Sequence, residues 1–322
     1  MKQSETLTNL QKYLKTNKLK GLAVTDITTI NYLTGFTFVG EGDAFLLVNT
    51  KKTICFTKPL YLIDITKKCP FLTFVNSLNI QDLIKKVKNT KGYVFDPRKS
   101  NYINGTALKK AGFQEYDNIC TSLREVKTES EIKKIKYACE ISAKAFDLFK
   151  KNLKVGMTEK QSAKLLEDFM AKLGGEGLAF DTIMAFGENS ANPHHNNSDR
   201  KLKQNEVVLV DFGCKYQGYC SDITRTFWFG KKPSKDFEFY FNAVKNAYTK
   251  AKKALKAGVS AYDVDKVARD YFETDYKASK YFIHTLGHNL GLDIHERPYL
   301  STKDNSILKE GALTTIEPGL YF

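Results

Sequence analysis

The residues able to do chemistry in this chain are crowded toward its C-terminal end. All five histidines fall in the last two-fifths: His194 and His195 in Asn-Pro-His-His, then His284, His288 and His295 in HTLGHNLGLDIHE. Histidine is the commonest metal ligand and the usual proton shuttle near neutral pH. Two aspartates frame a motif of their own in VVLVDFGCKYQGYCSDITRTFWF (207–229). Its alternation reads as a β-hairpin, with Val207–Val210 a buried strand, Tyr216-Gln217-Gly218 the turn and Ile223–Phe229 the return. Asp211 and Asp222 lie eleven apart about that turn, and with an even-length loop such an odd separation can place them opposite one another on one face. Paired carboxylates repel unless a cation lies between them. Asp211 also follows four apolar residues, where an unpaired charge is expensive. The blander alternative makes Asp211 a turn or cap residue and Asp222 a surface acid.

Two further pieces join this hairpin. His288 has Gly287 and Gly291 as neighbours, which allow close backbone approach; its plain alternative is a packed or surface histidine. Glu317, in TTIEPGLYF, ends a β-branched strand just before a Pro-Gly turn, and could equally be a surface acid. The order and joint occurrence of these pieces are more specific than any one of them.

The elements that must position them differ between the two halves of the chain. Over the first 120 or so residues, GLAVTD (21–26), AFLLVN (44–49), TICFT (53–57), FLTFVN (71–76) and GYVFD (92–96) read as strands. Residues 4–18, 78–89 and 100–111 read as helices between them, which predicts an α/β domain with a mixed or parallel sheet. A boundary falls near 123–127, giving domains 1–122 and 123–322. Thr128-Glu129-Ser130-Glu131 then forms a capping box for a long helix, with Ile132, Ile135, Cys139, Phe146 and Phe149 near one face. A second helix starts at Thr158 and ends in Gly174-Gly175, and two more cover about 235–256 and 261–275. The helix–helix–strand order of 130–186 and 236–290 carries a faint echo of duplication. The fold class expected is α+β.

Bulk properties exclude several functions. A chain of 322 residues with 42% hydrophobic content suggests about two globular domains. No apolar run is long enough to span a bilayer, and the polar start MKQSETLTNLQKYLKTNKLK lacks a signal peptide's apolar centre. The cytoplasm is therefore the expected location. Six cysteines show no metal or disulfide spacing and read as reduced, mostly buried thiols. The net charge of +14 is spread over scattered lysines, so a solvated basic surface is expected rather than a nucleic-acid partner.

Asp211, Asp222, His288 and Glu317, within VDFG, SDITRTF, GHNLGLDIHE and TIEPGLY, resemble the metal-binding motifs of the pita-bread metallopeptidases. The branch of Xaa-Pro aminopeptidase (aminopeptidase P) and Xaa-Pro dipeptidase (prolidase) fits best. SLREVKTESEI and FDTIMAFGENSANPHH also resemble it, whereas methionine aminopeptidases usually lack the N-terminal domain. The resemblance implies a creatinase-like α/β domain followed by a pita-bread catalytic domain. It further implies two divalent ions, with Asp211 on one, Asp222 bridging, and His288 and Glu317 on the other. Oxygen-rich ligands with one imidazole favour manganese, with cobalt or zinc as alternatives. The ions would make a bridging water a hydroxide nucleophile near neutral pH, and Glu317 would accept its proton. His194 and His295 would contact the substrate around the scissile bond, His284 would line the proline side, and His195 is assigned only to structure.

Aminopeptidase action on Xaa-Pro peptides is the leading expectation, prolidase activity the alternative, and a non-catalytic binding protein the rival; a homodimer stays open. The family pattern also has a fifth ligand, a bridging glutamate on a strand after the Glu-Pro-Gly turn. This chain stops at Phe322, before such a segment, so it is expected to be a fragment or to lack that carboxylate.

Overall fold

The computed structural model describes residues 4–40 and 42–322. The chain divides into two units, Met1–Arg124 and Glu125–Phe322.

In the first unit the elements run α1 (Glu5–Thr16), β1 (Gly21–Val24), α2 (Ile27–Thr34), β2 (Ala44–Asn49), β3 (Thr53–Thr57), α3 (Pro59–Lys68), β4 (Thr73–Asn76), α4 (Ile80–Lys85), β5 (Tyr93–Phe95), α5 (Tyr102–Lys110), β6 (Gln114–Glu115) and α6 (Ile119–Glu125). The strands form one mixed sheet in the order β4-β3-β2-β1-β5-β6. The β1–β2 and β2–β3 pairs are antiparallel, while β3–β4, β1–β5 and β5–β6 are parallel. Phe45, Leu47, Phe56, Leu83, Phe95 and Leu108 close its core.

Three helices there escape the sequence pattern, α2, α3 and α6, the first two for local reasons. β1 stops at Val24 because Asp26 turns from strand to cap, its side chain accepting the Thr29 N–H at the start of α2. The residues of α2, ITTINYLT, are rich in β-branched side chains, so propensity argues against a helix and packing overrides it. α3 begins with Pro59, whose fixed φ suits the first helical position.

The second unit contains α7 (Glu129–Asn152), α8 (Glu159–Lys172), β7 (Ile183–Phe186), β8 (Glu206–Phe212), β9 (Lys215–Tyr216), β10 (Tyr219–Cys220), β11 (Ile223–Phe229), α9 (Lys235–Ala254), α10 (Ala261–Tyr276), β12 (Gly287–Asn289) and β13 (Glu296–Leu300). Both boxes form: Thr128 accepts the Glu131 N–H and Glu131 accepts the Thr128 N–H, and Thr158 and Gln161 do the same. β8 lies between β11 and β7, antiparallel to both. α7 and α8 bury Ala138, Ala145, Phe149, Leu166 and Met170 against Phe186, Val208 and Val210 of that sheet. Fully burying one such large side chain stabilises by about 1.5–3 kcal/mol, so this layer anchors the strands that carry the acids. α9 and α10 meet through Ala243, Ala247, Ala251, Ala261 and Ala268, small residues that let the two helices approach closely.

All six cysteines are free thiols, five of them buried. Among the described residues no helix is long and apolar enough to cross a membrane.

Candidate metal centre and its histidine pocket

A two-residue turn sets the geometry of the acidic hairpin. Gln217 and Gly218 both have positive φ, 48° and 80°, as a turn matched to strand twist requires. Tyr216 then pairs with Tyr219, Lys215 with Cys220, Phe212 with Ile223, and Asp211 with Thr224. Asp222 therefore does not face Asp211 directly, as the spacing had suggested. It falls beside Gly213 in the same register, diagonal to Asp211 on the same face. A Cβ on Gly213 would collide with the Ser221 carbonyl, so only glycine permits this close approach.

The second half of the centre comes from β12 and the segment after it. The Thr315 N–H donates to the His288 carbonyl at 2.9 Å, and the Glu317 N–H to the Leu286 carbonyl at 2.6 Å. The strand expected at 314–317 is reduced to one isolated bridge, Asn289↔Thr314. β12 spans only three residues and its register shifts after His288, too little for a regular ladder. Gly287 matters here, because a Cβ would strike the Thr315 carbonyl.

Asp222, His288 and Glu317 converge, with one potential ligand atom from each lying within 4.8 Å of the others. His288 Nε2 is 3.4 Å from Asp222 Oδ2 and 3.3 Å from Glu317 Oε1. Its Nδ1 sits 3.1 Å from the Asn289 carbonyl, so Nδ1 carries the proton and Nε2 presents a lone pair. Acceptors then face acceptors. Glu317 Oε1 and Asp211 Oδ1 are buried without a hydrogen-bond donor. Burial, then the charges of Glu317 and Asp211, push the Asp222 carboxyl up to about 8. Burial is also the main force raising Asp211, to about 6. For Glu317, burial is outweighed by His288 in its protonated form, which would donate from Nε2 and carry a charge, so its carboxyl is held low. Carboxylates and one imidazole crowded in this way fit divalent cations, which would satisfy every orphaned oxygen at once. Asp211 stands outside the tight trio, yet its charge acts on Asp222.

The other histidines separate by surroundings. His295 packs edge-on against His288, ring centroids 4.4 Å apart. His284 donates from Nδ1 to the Thr285 carbonyl at 2.8 Å, which leaves Nε2 to accept from the Tyr321 hydroxyl at 3.2 Å. Burial lowers the pKa of both His284 and His295, and the charge of His194 acts on each. His194 itself is exposed. His195 points elsewhere, its Nε2 2.7 Å from Glu159 Oε2.

Glu159 is fully buried and gathers the segment that carries His194: it accepts from the Phe186 and Ser198 N–H groups, the Ser198 hydroxyl and the Asn189 amide. Burial alone would raise its carboxyl; these donors outweigh it and hold it at about 2. Glu159→Ala strips a partner from several buried donors, so it should cost about 3 kcal/mol or more. Urea denaturation of the variant checks this, and a loss under about 1 kcal/mol would refute the scaffold role. Arg269 is a second support not evident in the sequence. It pairs with buried Asp265 one turn back on α10 and donates to the carbonyls of Phe282 and His284. Its only sequence signal was the Asp265…Arg269 spacing on one helical face.

With this geometry in hand, similarity to known proteins becomes informative. Residues 133–322 match metallopeptidase family M24, and residues 7–126 match the creatinase/prolidase N-terminal domain. The Xaa-Pro dipeptidase of Pyrococcus furiosus is 33% identical over 320 residues, which are 98% of this chain and 90% of that protein. A solved Xaa-Pro dipeptidase from Bacillus anthracis superposes with a TM-score of 0.90 at 31% identity, covering 99% of this chain and 90% of that one. An X-Pro aminopeptidase from Thermotoga maritima superposes with a TM-score of 0.85 at 33% identity, covering 96% and 91%. Against uncharacterized staphylococcal peptidases, 42% identical, the match spans 65% of this chain but only 59% of the relative. These similarities lend no support to the expectation of a truncated chain. They do fix its kinship: the chain belongs to metallopeptidase family M24, a creatinase-type N-terminal domain preceding a pita-bread domain.

Proposed function

We propose that this chain is a metal-dependent dipeptidase that cleaves Xaa-Pro dipeptides. The observation that carries the reading is the convergence of Asp222, His288 and Glu317 beside Asp211, in a chain that matches an Xaa-Pro dipeptidase over 98% of its length. Dipeptidase activity thereby takes precedence over the aminopeptidase activity that the motifs suggested first. In this reading Asp211, Asp222, His288 and Glu317 would hold the divalent ions, with Asp222, His288 and Glu317 forming the tight group. The oxygen-rich set favours manganese over cobalt or zinc. Bound ions supply Lewis-acid activation of a water and of the scissile carbonyl.

The chain's own residues do the rest. Glu317 takes the proton released by the attacking water. His295, against His288, and His194 donate hydrogen bonds to the developing oxyanion. Burial holds His295 toward its neutral form, in which one ring nitrogen still donates. His284, steadied by Tyr321, lines the proline side of the pocket. The scattered basic surface needs no nucleic-acid partner, and the substrate is a peptide.

Incubation with manganese and either an Xaa-Pro dipeptide or an Xaa-Pro-Xaa tripeptide tests the reading. Hydrolysis of the dipeptide in preference to the tripeptide is expected. Preference for the tripeptide would make the chain an aminopeptidase, and hydrolysis of neither would end the enzymatic reading.

A further inference from the structure

The candidate centre leans on a lysine outside its ligand set. Lys127, just ahead of α7, is 5% exposed. Its Nζ lies 2.6 Å from Asn289 Oδ1 and 3.1 Å from Glu296 Oε2. Those two residues directly follow His288 and His295 in the chain. The pairing of β12 with β13 breaks at the same place, His288 facing Tyr299 while Asn289 faces Glu296. A bulge of this kind re-aims the side chains beside it.

The contacts form a chain that ends on an imidazole. Lys127 fixes the Asn289 carboxamide, whose Nδ2 donates to the carbonyls of Glu125 at 2.9 Å and Arg297 at 2.8 Å. With its side chain fixed on three sides, Asn289 holds its own carbonyl still. That carbonyl accepts His288 Nδ1–H at 3.1 Å, which leaves Nε2 aimed at Asp222 and Glu317. Glu296 works on the other arm: one oxygen meets Lys127 and the other accepts the Asp293 N–H at 3.2 Å, securing the turn that delivers His295.

We infer that Lys127 is a positioning residue, holding the bulge between β12 and β13 so that His288 and His295 point into the centre. Its importance for metal binding rests on the dipeptidase reading; its effect on the two rings does not. A lysine that merely stabilised the fold would leave those rings where they are in any variant that still folds.

The test uses protein labelled with 15N-histidine and stripped of metal, with the five imidazoles followed by NMR. Lys127→Met should displace the ring signals of His288 and His295 and leave those of His194, His195 and His284 in place. Manganese affinity of the same variant should fall about tenfold, as when other groups that orient metal-binding histidines are lost. Glu296→Gln keeps an acceptor for Nζ and should leave both rings near their wild-type positions. Wild-type ring signals in folded Lys127→Met would overturn the inference. Should that variant not fold, Lys127→Met/Glu296→Leu removes both charges from the interior, and undisplaced rings there would overturn it equally. Failure of the wild type to cleave dipeptides would count against the proposed function alone, since the ring signals are read without substrate or metal.

Discussion

Asp222→Asn should abolish manganese-dependent hydrolysis while making the metal-free protein more stable at pH 8. Both effects come from one carboxylate asked to stand among like charges. In the proposed centre Asp222 would lie between both ions, so its loss should weaken each. A hundredfold or greater fall in manganese affinity is expected, because groups that only orient metal ligands already cost about 10–100-fold. Loss of several kcal/mol of charge stabilisation at the reacting atoms corresponds to a rate fall of about a thousandfold or more. Without metal the account reverses. Burial and the charges of Glu317 and Asp211 oppose ionisation of Asp222, and asparagine keeps its shape without a charge to accommodate. Isothermal titration with manganese and calorimetry in chelator measure the two effects. Unchanged manganese affinity would remove Asp222 from the centre, and a less stable metal-free variant would show that the carboxylate is held by partners rather than by a cation.

Much of this candidate site could be read from residue order, because each piece carries a local signal. Asp211 ends an apolar strand, Asp222 precedes the return strand, His288 lies among glycines, and Glu317 precedes Pro-Gly. The register between the aspartates was not legible. A two-residue turn one position earlier, on 216–217, would set Asp222 opposite Asp211; the turn on Gln217 and Gly218, marked by their positive φ, makes it diagonal. The supports were still less visible. Lys127 and Asn289 are 162 positions apart, and the Glu159 carboxylate meets donors up to 39 positions away. No periodicity records such long-range pairings, since each partner looks like an ordinary polar residue in its own segment. The helices fared better wherever capping and face agreed, as at Thr128 and Thr158. α2 was missed where β-branched residues and a tertiary requirement disagreed.

The same buried charges dictate how the metal-free protein responds to pH. Asp222, at about 8 in the folded state against 3.8 ordinarily, binds its proton more tightly folded than unfolded. Stability from such a group is full below the unfolded value and is lost as pH rises through the folded one. Asp211, raised to about 6, follows the same sign and is spent by neutral pH, a loss on the order of 3 kcal/mol. His288 is raised as well, because the charge of Glu317 and the hydrogen bond it would accept from the protonated ring outweigh burial, and so adds to the fall. His284 and His295 act oppositely: their lowered values make stability rise with pH, but only up to their ordinary 6.5. Glu317 also acts oppositely, below its ordinary 4.5. Between pH 6.5 and 8.5 the falling contributions therefore stand alone, and the unfolding temperature in chelator should drop by several degrees across that window. Manganese should cancel the drop, because a cation replaces the protons these carboxylates otherwise need, and ligand at a hundred times its dissociation constant adds about 2.7 kcal/mol. Calorimetry at matched ionic strength, with and without manganese, reads the widening gap directly. Asp222→Asn should flatten the chelator curve, and a wild-type curve already flat from pH 6.5 to 8.5 would mean that these carboxylates are not crowded in the folded protein.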